Sequence, residues 1–271
     1  MTVTPDPDLL SNVRSERVRA VRSLGRRAVR QRQGRFVVEG PQGVRELLRY
    51  APGSARDVYL TPAAADRYAE LVSLAGEAGV PVRACTDQVL AAMSDTPHPQ
   101  GVLAVASPVD VPLGEALAAA TDGAGFVVVL TNVRDPGNAG TVIRGADAFG
   151  ASAVLVSDAS VDVYNPKVVR STVGSLFHLP LVLGVPVPDL LQACRVHGLR
   201  LLAADGGGGT MLPDADLTAP HAWVLGNEAW GLPEEVLDQC DDVVAVPIVR
   251  AESLNLAMAA TVCLHASSAA R

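Results

Sequence analysis

The stretch Asn132-Val-Arg-Asp-Pro-Gly-Asn-Ala-Gly-Thr-Val-Ile-Arg-Gly-Ala-Asp-Ala-Phe-Gly150 follows the uninterrupted apolar run Phe126-Val-Val-Val-Leu130. That run is short and β-branched, the pattern of a strand buried on both faces of a parallel sheet. Asp135-Pro-Gly-Asn138 is turn chemistry: Pro sets φ, Gly tolerates φ > 0, and Asn138 suits the cap of a helix that starts near it. Beyond it Val142, Ile143, Ala146 and Phe149 recur at helical spacing, which predicts a face packed on the sheet with Arg144 pointing elsewhere. Arg144 has two readings at this point. Gly140 and Ala148, four residues to either side, leave its guanidinium open to a ligand at the carboxyl edge of the sheet, where open α/β folds bind ligands. The other reading is a surface ion pair with Asp147 at i,i+3, a contact of little energetic weight.

Toward the carboxyl terminus, Ser152–Ser157, Phe177–Leu183, Leu199–Ala204, Ala222–Leu225 and Asp242–Pro247 read as further strands separated by helical or loop segments. Such alternation predicts an α/β fold with a mostly parallel sheet covered by helices. The segment Tyr164–Val173 reads as a helix that carries Lys167, the chain's only lysine, with Arg170 and Ser171 on the same face. Two cations and a hydroxyl there suit a phosphate, or form a solvated helix face. Asp205-Gly-Gly-Gly-Gly209 lacks the third glycine of a dinucleotide fingerprint, and Leu212-Pro213 follows where a helix should open. A flexible turn is expected there, which disfavours a nucleotide-dependent enzyme of ordinary Rossmann type. From Glu252 to Ser267 apolar or small residues occupy nearly every helical face, predicting burial on most sides.

Toward the amino terminus the charge is uneven. The chain has net charge −7, yet residues 1–50 hold eleven Arg against five acidic residues. Val13, Val18, Val21, Leu24 and Ala28 predict one helical stripe over Asn12–Gln33, with arginines on the other faces. An almost purely arginine run is either a solvated helix face or the electrostatic footprint of phosphate binding; the second reading is favoured, so Arg22, Arg26, Arg27, Arg30, Arg32 and Arg35 are expected to touch RNA, with Lys167, Arg170 and Ser171 as further candidates for its phosphates. Strands are expected at Arg35–Gly40, Val58–Leu60 and Val80–Arg83, with helices over Gln42–Arg49 and about Ala63–Gly76. Ser107–Leu113, with two prolines and no usable periodicity, is the linker candidate. The four cysteines are scattered without a CxxC pair, so neither zinc nor disulfides are indicated and no metal site is expected. No apolar stretch approaches a membrane span and the opening residues lack signal-peptide character, so a cytoplasmic protein without membrane contact is expected.

Three ordered motifs carry a resemblance. Asn132, Arg134, Asp135-Pro-Gly-Asn138, Gly140, Arg144 and Phe149-Gly150 resemble the first signature of the SpoU, or TrmH-like, RNA ribose methyltransferases of the SPOUT superfamily. Leu225-Gly-Asn-Glu-Ala-Trp-Gly-Leu-Pro233 resembles the second, and Pro247-Ile248 with Ser253-Leu-Asn255 the third. Together they span about half of the chain, and three in order are far more specific than one. Ala28–Leu48 and His98-Pro-Gln-Gly-Val-Leu-Ala104 resemble the substrate-binding domain that precedes the catalytic domain in many relatives.

The resemblance implies a small α/β RNA-binding domain over residues 1–106, a linker over 107–122, and over 123–271 a SPOUT catalytic domain whose carboxyl-terminal segment forms a trefoil knot and a homodimer interface. It implies S-adenosylmethionine as cofactor, held by Leu225, Gly226, Asn227, Val246, Pro247, Ile248, Ser253 and Leu254. It implies transfer to a ribose 2′-hydroxyl of RNA by Arg144, Asn138, Glu228, Ser253 and Asn255. Arg170, Ser171, Gly174 and Ser175 match a substrate-side pattern of the family. Large-subunit 23S ribosomal RNA is the favoured substrate; transfer RNA, or RNA binding with little turnover, are the alternatives. One departure stands out. The family's loop between Pro-Ile and Ser-Leu-Asn usually contains a glycine, whereas Val249-Arg-Ala-Glu252 has none and is a residue shorter, which bears on cofactor affinity.

Overall fold

The structure, a computed structural model, describes residues 9–120 and 125–271, side chains of 119 and 120 excepted. The opening residues 1–8, the end of the expected linker and the start of the expected second domain lie outside the described residues. In chain order the elements are α1 Glu16–Ser23, α2 Arg27–Gln33, β1 Phe36–Glu39, α3 Pro41–Tyr50, β2 Ala55–Leu60, α4 Pro62–Arg67, α5 Ala69–Glu77, β3 Val82–Ala84, α6 Asp87–Met93, β4 Val102–Ala106 and α7 Leu113–Ala120. They continue with β5 Phe126–Leu130, α8 Pro136–Ala148, β6 Ala153–Ser157, α9 Pro166–Thr172, β7 Leu181–Val185, α10 Val187–Val196, β8 Arg200–Ala204, β9 Thr210–Met211, β10 His221–Leu225, α11 Glu234–Leu237, β11 Asp242–Ala245 and α12 Leu256–Ala269. These elements form two compact units, Met1–Val109 with Tyr164–Phe177, and Asp110–Val163 with His178–Arg271.

In the first unit β1, β4, β2 and β3 form a four-stranded sheet in that order. The β1–β4 and β2–β4 pairs are antiparallel, and β2–β3 is parallel. One face packs Val18 and Val21 of α1, Leu24 at its end and Val29 of α2 against Val37, Tyr59, Leu103 and Val105 of the sheet. The single helix expected over Asn12–Gln33 is two helices. Leu24 ends α1, Gly25 and Arg26 turn the chain, and α2 buries Val29 rather than the exposed Ala28. Arg30 corrects the expectation that it faces RNA. It is buried, and its Nη1 donates to Leu24 O at 2.8 Å and Gly25 O at 2.9 Å, satisfying carbonyls that the end of α1 leaves without helical partners. The segment Tyr164–Phe177 joins this unit through aromatic packing, with the Phe36 ring 4.5 Å from Tyr164 and 6.4 Å from Phe177.

The second unit is built on a seven-stranded sheet, β7-β6-β5-β10-β8-β11-β9, all of whose neighbouring pairs are parallel. Its strands are apolar runs buried on both faces, as parallel sheets require. Val127, Val129, Leu155, Leu201 and Val224 face a core completed by Leu117 of α7 and Leu190, Leu191 and Cys194 of α10. On α12 the Ser267 hydroxyl meets His221 Nε2 at 2.8 Å and accepts from Trp223 Nε1 at 2.8 Å, which satisfies two ring nitrogens inside the core. Three expectations need correction. The strand expected from Phe177 begins at Leu181, because Phe177 closes a short turn and Pro180 lies ahead of the ladder. Gly208 is no loose turn residue. A Cβ there would lie 2.9 Å from Ala245 N, and the run ends in β9 on the sheet edge. The last helix buries one face, through Ala257, Ala260, Cys263, Leu264 and Ser267, and leaves Met258 and Val262 exposed in the single chain. No helix among the described residues is long and apolar enough to cross a membrane.

Candidate active site

Strand register gathers the three motifs. Leu225, which ends β10, pairs with Leu130 at the end of β5 and with Ala204 at the end of β8, and Ala204 pairs with Val244 of β11. The loops that follow these strands therefore leave one carboxyl edge together, the position where open parallel sheets bind ligands.

The first loop is braced from below and from the side. Asn132 takes φ 53°, a left-handed conformation that Asn tolerates, with its N–H donating to Ser157 Oγ at 2.9 Å and its carbonyl accepting from Asn227 Nδ2 at 2.7 Å. The residue that caps α8 is Asp135, not Asn138. Pro136 opens the helix with φ already set, so its first turn starts two residues earlier, and Asp135 Oδ1 accepts from Asn138 N at 2.8 Å.

Asn138 is thus freed for tertiary contacts. Its Nδ2 donates to Glu228 Oε1 at 3.2 Å and its Oδ1 accepts from Asn255 Nδ2 at 3.0 Å. Asn255 Oδ1 meanwhile caps α12, accepting from Ala257 N at 2.9 Å. Glu228 also accepts from Arg134 N at 3.2 Å and Asp135 N at 3.0 Å. One carboxylate and two amides thereby tie together loops 90 and 117 residues apart. Partial burial pushes the Glu228 carboxyl up, but hydrogen bonds from its own N–H, from the Arg134 N–H, from Asn138 and from the Asp135 N–H outweigh it, so the group lies below the usual carboxylate range. It is ionised at neutral pH and a correspondingly weak base. Beside it the Arg134 guanidinium lies 5.2 Å from the centroid of the exposed Trp230 ring.

Two clefts share the Asn227-Glu228-Ala229 turn. The narrower one, about 250 Å³, is lined by Asp205 and Gly206, Gly226 to Ala229, Val244, Val246, Ile248, Ser253, Leu254 and the start of α12. A more open one adds Arg134, Pro136, Asn138, Trp230 and Asn255. Gly226 has no room for a side chain, since a Cβ would sit 2.5 Å from Gly231 O and 2.7 Å from Leu232 N. Of the residues expected to hold a cofactor, Gly226, Asn227, Val246, Ile248, Ser253 and Leu254 line the narrower cleft. Leu225 does not. Its side chain is buried in the sheet and its carbonyl already accepts from Thr131 N at 2.9 Å and Thr131 Oγ1 at 3.0 Å. Pro247 is absent from the lining as well. Sequence reasoning missed Asp205, Leu256 and Ala259; the position of Asp205 directly after the apolar run of β8 was the available signal.

Arg144 lines neither cleft. It is exposed on α8 and has no hydrogen-bond or ion-pair partner among the described residues, because the carboxylate of Asp147 is taken by His178 Nδ1 at 2.8 Å. The ion-pair reading of Arg144 is thereby overturned. Among the residues expected to meet RNA, Arg22, Arg26, Arg27, Arg32, Arg35 and Lys167 are exposed. Arg170 is engaged within its own unit, with Nη2 3.0 Å from Asp95 and Nη1 3.5 Å from Glu39, and Ser171 Oγ donates to Lys167 O at 2.8 Å. No group of three His, Cys, Asp or Glu that could hold a metal occurs among the described residues.

Residues 125–265 match the SpoU rRNA Methylase family, and residues 37–112 match the family described as RNA 2′-O ribose methyltransferase substrate binding. The chain is 28% identical over 257 residues to the 23S rRNA (guanosine(2553)-2′-O)-methyltransferase of Bacillus subtilis, covering 94% of this chain and 97% of that one. An AdoMet-bound rRNA methyltransferase from Sinorhizobium meliloti superposes with a TM-score of 0.85 at 26% identity over 96% of both chains. The SpoU methyltransferase AviRb from Streptomyces viridochromogenes, in complex with the cofactor AdoMet, superposes with a TM-score of 0.81 at 31% identity over 94% of this chain and 98% of that one.

Proposed function

Because this chain belongs to the SpoU rRNA methylase family, we propose that it methylates a ribose 2′-hydroxyl of RNA, with 23S ribosomal RNA as substrate and S-adenosylmethionine (AdoMet) as cofactor. The observation that carries this reading is the narrower cleft at the carboxyl edge, where Gly226 presents bare backbone and Val244, Val246, Ile248 and Leu254 supply an apolar wall. That lining suits an adenosine, with the Asp205 carboxylate as an acceptor for ribose hydroxyls and Ser253 as a further polar contact. S-adenosylmethionine supplies an electrophilic methyl group on a sulfonium; the chain supplies the rest.

Positioning is the main demand on these residues, because a ribose hydroxyl is a weak acid and a poor nucleophile. Asn138, held between Glu228 and Asn255, offers an amide of fixed orientation at the rim of the open cleft. Glu228, ionised and surrounded by N–H donors, orders the two loops rather than taking the proton. Arg144 acts by its charge, clamping the phosphate beside the target ribose and favouring negative charge on the 2′-oxygen. Its lack of a side-chain partner among the described residues supports that role. We read residues 1–106 as the substrate-binding domain and 123–271 as the catalytic one. The segment from Pro247 into α12 is read as the knotted one, and the exposed Met258 and Val262 as the face that a second copy covers. An RNA substrate supports a cytoplasmic location.

The experiment is transfer of labelled methyl from S-adenosylmethionine to purified ribosomal and transfer RNA by the wild type and by Arg144→Ala. Label in ribosomal RNA, mapped to a 2′-oxygen and lost in a variant that melts like the wild type, is the expected result. Label in transfer RNA alone would reassign the substrate, and RNA binding without any label would replace the enzyme by a binding protein.

A further inference from the structure

Another cleft, of about 400 Å³, lies wholly within the first unit, where α1 and the end of α2 face the sheet. Its α1–α2 wall precedes the residues matched to the substrate-binding family, which begin at 37. The floor is apolar, made by Val21, Leu24 and Val105 beside the Tyr59 ring, all buried. The rim is polar and carries both signs of charge. Arg35 and Gln33 are exposed and have no side-chain partner among the described residues. Asp57 is fixed by Arg83 Nε at 2.6 Å and by Arg17 Nη1 at 3.5 Å.

These features select one ligand chemistry. The volume falls within the roughly 300–1,000 Å³ of small-ligand sites. A bare phosphate site would have no use for an apolar floor or a carboxylate. A nucleobase needs both, a flat apolar surface for its face and mixed donors and acceptors for its edge. Gln33 offers both, and Asp57 adds a fixed acceptor. A free cation at the rim then meets the charge that accompanies a base in a nucleic acid, and Arg22, Arg26, Arg27 and Arg32, in and between α1 and α2, are exposed as well. We infer that this cleft is a nucleotide subsite that takes one unstacked base of the RNA substrate, with Gln33 and Asp57 at the base edge and Arg35 at the flanking phosphate. This inference rests on RNA being the substrate, as proposed above. It gives the segment before β1 a selective role in addition to general attraction for polyanions.

The test measures binding of a fluorescent, single-stranded RNA of mixed sequence by the full-length protein. Ala20→Phe fills the cleft from the exposed face of α1 without changing charge, and Gln33→Ala removes the edge contact. Each variant is expected to lower RNA affinity about tenfold, the scale of losing one base contact, with melting temperature and S-adenosylmethionine affinity unchanged. A mixture of nucleoside monophosphates is expected to compete for the wild type better than inorganic phosphate does. Undiminished RNA binding by a folded Ala20→Phe or Gln33→Ala, competition by phosphate equal to that of nucleotides, or loss of an acidic peptide's binding instead of RNA's, would each overturn the subsite. Failure of the wild type to bind any RNA would sink the functional reading itself; RNA binding that the variants leave intact sinks only this inference.

Discussion

Replacing Gly226 by Ala tests the cofactor cleft most directly. The added Cβ would lie 2.5 Å from Gly231 O and 2.7 Å from Leu232 N, backbone atoms with no rotamer by which to escape. Restoring contact distances of about 3.5 Å requires the 227–231 loop to retreat by about 1 Å. That loop is closed by Asn227 N to Gly231 O at 2.9 Å and Gly231 N to Asn227 O at 3.0 Å, so a retreat strains this pair and displaces Asn227 and Glu228 with it. Overpacking of this kind costs about 1–3 kcal/mol, which lowers the melting temperature by about 2–10 °C for a chain of this size. The displaced lining should weaken S-adenosylmethionine by about tenfold or more in titration calorimetry. Gly209→Ala, at a position with open space and no positive φ, is the control and should behave as wild type. If Gly226→Ala melts and binds cofactor like the wild type, neither the close approach nor the placement of the cofactor here is correct.

Asn255→Ala removes the cap of α12 and the brace on Asn138, and should cost about 1 kcal/mol in denaturant unfolding while lowering the methyl-transfer rate more than it weakens RNA binding. Arg30→Ala should destabilise the protein by about 1–3 kcal/mol by stranding the carbonyls of Leu24 and Gly25, whereas exposed Arg32→Ala should leave melting unchanged and weaken RNA; the reverse pattern would restore Arg30 to the RNA surface. Burial holds the His221 imidazole below its ordinary range, against the opposing hydrogen bond to Ala219 O, with Arg271 and Arg200 adding to the depression. The unfolded chain therefore takes up a proton that the folded chain refuses, so the stability due to neutral His221 is complete above about pH 6.5 and lost as pH falls from there through the folded pKa. Melting temperatures recorded from about pH 7.5 down to about 5 should decline in that window, and His221→Gln should flatten the decline.

What the sequence alone determined is what depends on neighbours in the chain. The apolar runs of β5, β6, β8 and β10 marked a parallel sheet, the Pro136-Gly137 turn placed a helix after β5, and three motifs named most of the cleft lining, because strand burial and turn chemistry act over a few residues. Tertiary structure decided what depends on distant partners. Arg30 looked like its exposed neighbours until the break after Leu24 supplied carbonyls for it, and Asn138 looked like a cap until Asp135 took that place. The segment Tyr164–Phe177 lies between catalytic-half strands in sequence yet packs on Phe36. Asn138, Glu228 and Asn255 come within hydrogen-bond reach only once parallel register brings the ends of β5, β10, β8 and β11 level. Local propensity carries no term for a partner a hundred residues away; the enthalpy of those contacts exists only after the sheet has closed the distance.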